Sequence, residues 1–274
     1  MEWRTDTAFF LEIGGKRLEA RAWGPPPDRA PTIVLLHEGL GSANMWRALP
    51  EALTTATGMG VLAWSRAGYG ASDPNPPPWP LDYLEVEANQ ALPGLLDTAG
   101  IRAALLVGHS DGGSIAAAYL GHHHDPRVAA AVLIAPHFFT EPGGLAAIRA
   151  ARAGFAHDIR PRLARHHRDV DALFEGWSGA WADPDFKVGQ IEPLLQNIRV
   201  PVLAIQGRAD QYGTLAQIEA LTRHLPKPPE IAILEGCGHS PHVERPGDTA
   251  RLIADFASRH LPLSSFPEIL PPEA

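Results

Sequence analysis

The sequence predicts an α/β fold in which a mostly parallel, eight-stranded sheet is flanked by helices and carries a helical insertion. Short apolar runs followed by turn residues recur along the chain, and their continuous hydrophobicity is typical of strands buried on both faces. Segments of helical composition lie between these runs, and such alternation favours a parallel sheet covered on both sides. One interval, 137–190, breaks the alternation because it has helical composition but no convincing strand.

The individual elements follow from this pattern in chain order. Residues 9–23 are predicted to form two strands around a turn at Gly14 and Gly15. The other predicted strands are 32–36, 61–64, 103–108, 128–135, 200–207 and 231–236. The predicted helices between them are 45–57, 81–98, 110–122, 215–225 and 248–260. We therefore expect an α/β core formed by 1–136 and 191–274, with 137–190 inserted over the sheet as a helical cap.

Composition excludes several classes of protein. A length of 274 residues with 45% hydrophobic residues suits one large domain with a sizeable core. The net charge of −8 argues against a nucleic-acid partner, which would favour a basic surface. No apolar run approaches the roughly 20 residues needed to span a bilayer, and the first residues lack a signal-peptide layout. The expectation is a cytoplasmic protein without membrane insertion, and nothing in the composition indicates an oligomeric state.

One serine lies in a glycine-rich turn between a predicted strand and a predicted helix. Gly108-His109-Ser110-Asp111-Gly112 fits the pattern G-x-S-x-G of a nucleophile elbow, in which small neighbours allow the chain to fold back sharply. The alternatives are a turn capped by serine and a phosphate-binding loop. The phosphate loop is disfavoured because the chain has neither G-x-x-x-x-G-K-[ST] nor G-x-G-x-x-G.

A nucleophilic serine needs a base and an acid, which this elbow places later in the chain in the order acid, then base. Asp210 lies three residues beyond the predicted strand 200–207, and His239 lies just past the last predicted strand. We expect His239 to take the proton of Ser110 and Asp210 to orient the imidazole. His242 is the alternative base, and the glycine before His239 favours the latter.

The oxyanion hole requires two backbone N–H donors near the serine. We assign one to Asp111, at the start of the predicted helix, and one to Gly39, in the loop after strand 32–36; the second donor could be a neighbour of Gly39. Glu38 places a carboxylate beside this site, so we expect it to hydrogen-bond loop backbone or a polar group of the substrate.

With these residues in place, the chain resembles the α/β-hydrolase superfamily from residue 9 to about 261. The motifs "HEGLGS", "WSRAGYGASD", "GHSDGG", "GRAD" and "GHSPHVERP" occur in that family's order. The resemblance implies Ser110 as nucleophile, Asp210 as acid and His239 as base. It departs at Glu38, where many members have glycine. The serine argues against haloalkane dehalogenases and epoxide hydrolases, which resemble this chain but use aspartate.

The insertion is rich in aromatic residues, some of which should line a pocket above Ser110. The residues predicted to contact the substrate are Glu38, His109, Phe138, Phe139, Trp177 and Trp181. No metal or organic cofactor is expected. The run "HHHD" at 122–125 suggests metal binding only weakly, because consecutive histidines on a helix point in different directions.

The predicted function is a serine hydrolase that cleaves small, largely uncharged carboxylic esters through an acyl-enzyme. A carbon–carbon hydrolase of ring-cleavage products is the alternative on the same triad, and lactone, amide or thioester substrates stay open. The intact set of Ser110, Asp210 and His239 argues against a non-catalytic scaffold of the same fold.

Overall fold

A computed structural model describes residues 3–5 and 7–263. Within them, eight strands form one sheet in the order β1-β2-β4-β3-β5-β6-β7-β8. The strands are β1 Phe9–Ile13, β2 Lys16–Trp23, β3 Thr32–Leu36, β4 Gly60–Trp64, β5 Ala104–His109, β6 Val128–Ile134, β7 Val202–Gly207 and β8 Glu230–Leu234. β2 is antiparallel to both of its neighbours, and all other pairs are parallel. The predicted α/β fold with a mostly parallel, eight-stranded sheet is confirmed.

Helices cover both faces of this sheet. They are α1 Leu49–Thr57, α2 Tyr83–Val86, α3 Leu92–Thr98, α4 Asp111–His122, α5 Pro142–Gly154, α6 Arg160–Leu163, α7 Val170–Ala182, α8 Leu215–His224, α9 Pro241–Glu244 and α10 Pro246–His260. No helix among the described residues combines the length and the apolar character needed to cross a bilayer.

The central strands are apolar throughout because they contribute to two cores. Val34 and Leu36 pack into the larger core on one face of the sheet, whereas Ile33 and Leu35 pack into the core on the other face. Side chains alternate across a strand, so a strand buried on both sides needs apolar residues at every position. All five residues of β3 are buried accordingly.

The predicted helix 81–98 is interrupted in its middle. A π-helical turn, Glu87–Ala91, separates α2 from α3, and the N–H of Leu92 bonds to the carbonyl of Glu87. The next residue, Pro93, has no N–H, and its ring would clash with the carbonyl four residues earlier in a regular α-helix. The wider turn therefore accommodates the proline.

The segment between β6 and β7 holds helices and turns but no strand. After α5 a π-helical turn, Phe155–Ile159, leads into α6, and two 3₁₀ turns, Lys187–Gln190 and Glu192–Asn197, follow α7. α7 lies close to the rest of the chain: a Cβ on Gly176 would come within 2.3 Å of the Trp79 ring. This segment begins at the carboxyl end of β6 and therefore at the edge of the sheet where ligands bind in such folds.

Candidate active site

Four loops meet at the carboxyl edge of the parallel strands. They follow β3, β5, β7 and β8 and carry Gly39, Ser110, Asp210 and His239 respectively. Leu36 of β3 pairs with Gly108 of β5, so the first two loops leave the sheet side by side. The topology thus brings four predicted residues that are far apart in sequence to one place.

Ser110 occupies a strained turn between β5 and α4. Its φ of 53° and ψ of −118° lie in a region that residues with a side chain rarely adopt. The glycines around it are required by close backbone approach: a Cβ on Gly112 would lie 2.0 Å from the Leu36 carbonyl oxygen, and one on Gly108 would lie 2.2 Å from the Gly112 carbonyl oxygen. The glycine cluster is therefore explained by the close backbone packing of a sharp turn that places the serine at the start of a helix.

Asp210 and His239 form a direct pair. The Nδ1 of His239 donates to Oδ2 of Asp210 over 2.8 Å. Gln206 Nε2 donates to the same oxygen, and the backbone N–H groups of Tyr212 and Gly213 donate to Oδ1. Burial raises the pKa of Asp210, but the hydrogen bond from His239 and these other donors lower it overall. The carboxylate is thus ionised and accepts the hydrogen bond from Nδ1–H, so Nε2 is the ring nitrogen left to face a substrate.

Ser110 and His239 border one pocket of about 290 Å³. The lining residues are Glu38, Gly39, Leu40, Ser110, Asp111, His137, Phe139, Thr140, Glu141, Gly144, Leu145, Ile148, Trp177, Trp181, Gln211, Tyr212, His239 and Ser240. Among the described residues no hydrogen bond joins Ser110 Oγ to the His239 ring, as is common in unliganded sites. The pocket is mostly apolar with a few polar groups, which is typical of a small-molecule site.

The loop after β3 directs an N–H group away from the protein interior. The carbonyl oxygen of Glu38 accepts from Arg66 Nη2 at 3.1 Å, lies 2.7 Å from His37 Nδ1, and accepts from the N–H of Gly41. The peptide between Glu38 and Gly39 is trans, so its N–H points opposite to this carbonyl. The Gly39 N–H therefore points away from Arg66, as an oxyanion donor should.

Glycine at position 39 also makes room for a tryptophan of α7. A Cβ on Gly39 would lie 2.0 Å from Nε1 of Trp177. The indole N–H of Trp177 is buried and has no hydrogen-bond acceptor among the described residues. α7 and the loop after β3 are thus in direct contact at the pocket.

A buried polar network connects the same helix to the serine turn. Trp181 Nε1 donates to the Tyr83 hydroxyl over 2.9 Å, and that hydroxyl donates to Oδ2 of Asp111 over 2.5 Å. Arg66 Nη2 lies 3.5 Å from the same carboxylate oxygen. The side chain of Asp111 therefore anchors the start of α4, while its backbone N–H, in the first turn of the helix, has no intrahelical acceptor.

Glu38 faces a histidine rather than backbone. Its Oε2 lies 3.4 Å from Nδ1 of His109, and Nε2 of His109 lies 2.8 Å from the carbonyl oxygen of His239. A carbonyl oxygen can only accept a hydrogen bond, so Nε2 of His109 must carry a proton. Nδ1 of His109 faces a carboxylate and needs a second proton to donate to it, which makes the ring cationic. Burial lowers the pKa of His109 and raises that of Glu38, but their mutual attraction reverses both shifts. The two residues form a partly buried ion pair, and His109 holds the main chain at His239.

The structure corrects two of the residues predicted to contact the substrate. His109 is buried behind Glu38, and Phe138 is fully buried in the core, so neither borders the pocket. The chain bends at these two residues, and Phe139 borders the pocket while Phe138 faces inward. Glu38, Phe139, Trp177 and Trp181 do border it.

The alternative base, His242, lies away from the pocket. Its ring packs between Trp46 and His109, with ring centroids 5.1 and 4.8 Å away, and its buried Nδ1 has no hydrogen-bond partner within residues 3–5 and 7–263. Burial lowers its pKa to about 3, so this histidine is a neutral core residue.

Several pocket residues did not follow from the sequence reasoning. His137, Thr140 and Glu141 come directly after β6, and Tyr212 follows Asp210. Their position after the carboxyl end of a strand could have identified them, because such sheets bind ligands there.

Arg66, which contacts both the loop after β3 and Asp111, lies in the loop after β4. No group of residues suited to hold a metal ion occurs in the described part of the chain.

Comparison with known proteins agrees with this arrangement. Residues 33–252 match the alpha/beta hydrolase family. A pimeloyl-[acyl-carrier protein] methyl ester esterase from Aromatoleum aromaticum is 31% identical over 82% of this chain and 97% of its own length. Epoxide hydrolase B of Mycobacterium tuberculosis is 34% identical, and the matched region covers 77% of this chain and 56% of that enzyme. A serine hydrolase structure from Cycloclasticus zankles superposes with a TM-score of 0.74 at 21% identity, covering 92% of this chain and 98% of its own. With a family match over most of its length and an esterase that is similar over 82% of it, the chain belongs to the alpha/beta hydrolase family and is a hydrolase.

Proposed function

We propose that the protein is a serine hydrolase that cleaves small, largely uncharged carboxylic esters through an acyl-enzyme. The observation that carries this proposal is the convergence of Ser110, on its strained turn, and the His239–Asp210 pair on one mostly apolar pocket. The likeness to a methyl ester esterase over its whole length also supports ester cleavage.

The reaction follows from the positions of these groups. Ser110 Oγ attacks the ester carbonyl carbon while His239 Nε2 takes the hydroxyl proton, and the carbonyl oxygen becomes an oxyanion near the N–H groups of Gly39 and Asp111. The C–O bond to the alcohol breaks as His239 returns the proton to the departing oxygen. A water molecule, deprotonated by His239, then cleaves the acyl-enzyme and releases the acid and free Ser110.

The charges around the pocket favour uncharged substrates over anions. Glu38 and Glu141 both border the pocket, and none of its lining residues is lysine or arginine. A substrate carboxylate would meet like charges without a compensating cation. This counts against the anionic dienoates that carbon–carbon hydrolases of ring-cleavage products accept.

The nucleophile argues against epoxide hydrolysis of the aspartate type. The only carboxylate next to Ser110 in sequence is that of Asp111, whose side chain is 1% exposed. Its Oδ2 accepts from Tyr83 and pairs with Arg66, so this carboxylate is part of the buried network rather than a free nucleophile.

A covalent probe and a substrate panel test this proposal together. We expect a fluorophosphonate to label the protein at Ser110, as mapped by peptide mass spectrometry, because only an activated serine reacts rapidly. The panel consists of p-nitrophenyl esters from acetate to octanoate and a ring-cleavage dienoate, compared by kcat/KM. Labelling elsewhere, or faster turnover of the dienoate than of every ester, would refute the proposal.

We also propose that the inserted helices act as a cap that limits the size of the acyl group. Trp177→Ala removes the indole that packs against Gly39 and borders the pocket. The optimum of the chain-length series should shift toward longer acyl groups, since each additional buried methylene contributes roughly 0.8 kcal/mol once it fits. Trp3→Ala, which removes an indole that does not border the pocket, serves as the control. An unchanged profile in a Trp177→Ala protein of normal Tm would make Trp177 a packing residue only.

A further inference from the structure

A second histidine beside the base has no role in the reaction above. His137 follows β6 and is 5% exposed, and its ring lies between those of Trp181 and His239, with centroid distances of 5.5 and 5.6 Å. Its backbone is held by Ser114, but its ring nitrogens make no hydrogen bond with any residue in the described ranges. His137 lines the pocket and its Nδ1 side packs against Gly213, which leaves Nε2 as the ring nitrogen for a bound molecule.

The His137 ring is uncharged at neutral pH. Burial, and after it the neighbouring His239, lower its pKa to about 3. A neutral imidazole offers one N–H donor and one lone pair, so it suits a partner that can both accept and donate a hydrogen bond.

The position of His137 indicates which part of an ester it meets. His239 must return its proton to the oxygen of the departing alcohol, so the alcohol part of the substrate lies on the side of the His239 ring. The adjacent His137 ring therefore faces the alcohol part. We propose that His137 binds a second hydroxyl group of that alcohol, and that monoesters of diols and polyols are the preferred substrates; this inference rests on the proposed serine hydrolase function.

The charged residues of the pocket favour a hydroxyl group over an ammonium or a carboxylate. Both acidic side chains are already engaged: Glu38 pairs with His109, and Glu141 accepts hydrogen bonds from Thr214 and Gln217. Both oxygens of Glu141 thus already have donors, so an ammonium group would have to compete for them, and a carboxylate would meet the negative charge of Glu141, which has neutral partners only. The Nδ1 side of the His137 ring packs against Gly213, so a hydroxyl group would bind at Nε2, and it brings no charge that needs a counter-ion.

Two esters of nearly equal size test the proposal. 2-Hydroxyethyl butyrate and propyl butyrate differ only by OH in place of the terminal CH₃. We expect kcat/KM of the wild-type protein to be about tenfold higher for the hydroxyethyl ester, in the range of one hydrogen bond. In His137→Phe this ratio should fall to about one, whereas His137→Asn, which keeps a hydrogen-bonding group, should retain part of it. His242→Gln, a change at another neutral buried histidine outside the pocket, should keep the full ratio.

The outcomes separate this inference from the proposed function. A wild-type ratio near one with Ser110 labelled by the probe would overturn the role of His137 alone. Faster turnover of butyrylcholine or carboxymethyl butyrate than of the hydroxyethyl ester would also overturn it, in favour of a charged alcohol part. Absence of both labelling and ester turnover would refute the serine hydrolase function and this inference with it. A ratio that survives in a folded His137→Phe protein would assign the hydroxyl preference to other residues.

Discussion

Ser110→Ala and His239→Ala are each expected to lower kcat by on the order of 10⁵- to 10⁶-fold, because the nucleophile and its base act as one unit. The double variant should be hardly slower than either single variant for the same reason. Asp210→Asn should cost somewhat less, about 10⁴-fold, since an amide would hold the wrong tautomer of His239 while leaving the ring in place. Steady-state kinetics on p-nitrophenyl butyrate would measure all four variants.

The control for this set is His242→Ala, which removes the other candidate base. His242 does not border the pocket, and its ring lies behind His109. The melting temperature of each variant separates lost chemistry from lost folding. If His239→Ala kept near-normal turnover while His242→Ala lost it in a folded protein, the assignment of the base would be wrong.

Glu38→Ala is expected to lower kcat/KM about 10²-fold at pH 7, which is the cost of a small displacement of a catalytic group. Without the carboxylate, Nδ1 of buried His109 loses its partner, and the bond from His109 to the His239 carbonyl weakens. Glu38→Gln should cost much less, because the amide can donate to a neutral His109 whose Nε2–H still reaches that carbonyl. Glu85→Gln, which alters a carboxylate paired with His122 outside the pocket, is the matched control.

The Glu38–His109 pair also predicts a pH dependence of stability. The folded-state pKa of His109 is raised, so the stabilisation is complete below about pH 6.5 and is lost as pH rises through the folded-state value. The pKa of Glu38 is lowered below its usual range, so the stabilisation by this carboxylate is complete above about pH 4.3 and is lost only as pH falls below that value. The difference in free energy of unfolding between wild type and Glu38→Gln should therefore be largest between about pH 4.5 and 6.5 and shrink by pH 9.

Urea unfolding at pH 5.5 and pH 9, with kcat/KM measured in parallel, distinguishes a positioning role from simple packing. Above the folded-state pKa of His109, the carboxylate of wild-type Glu38 would face the lone pair on Nδ1 of His109. The amide of glutamine at position 38 would still donate a hydrogen bond to that nitrogen. The alkaline loss of kcat/KM should thus be smaller in Glu38→Gln than in wild type. Parallel pH profiles for the two proteins would show that the charge of Glu38 is irrelevant to the site.

The sequence alone was sufficient for the fold and for the convergence of Ser110, Asp210 and His239. The central strands are buried on both faces and must be apolar at every position, so their runs are visible in the sequence. β1 and β2 are partly exposed and were predicted from the turn at Gly14 and Gly15, and all eight strands were predicted to within a few residues. The edge strand β8 is only partly buried, unlike the prediction for its apolar run. Parallel strands end at one edge, so loops after β3, β5, β7 and β8 had to meet there. The helix 81–98 was less well predicted, because the π-helical turn before Pro93 depends on local backbone geometry.

What only the tertiary structure decided is the direction of each side chain around that edge. Sequence position placed His109 and Phe138 near the site, but the structure turns them into the interior, and it turns His137 toward the pocket instead. The partner of Glu38 was equally out of reach, because Glu38 and His109 are 71 positions apart and meet only when β3 and β5 pair. Hydrophobic patterns record how deeply a segment is buried, whereas the contacts of polar groups depend on packing between segments distant in sequence.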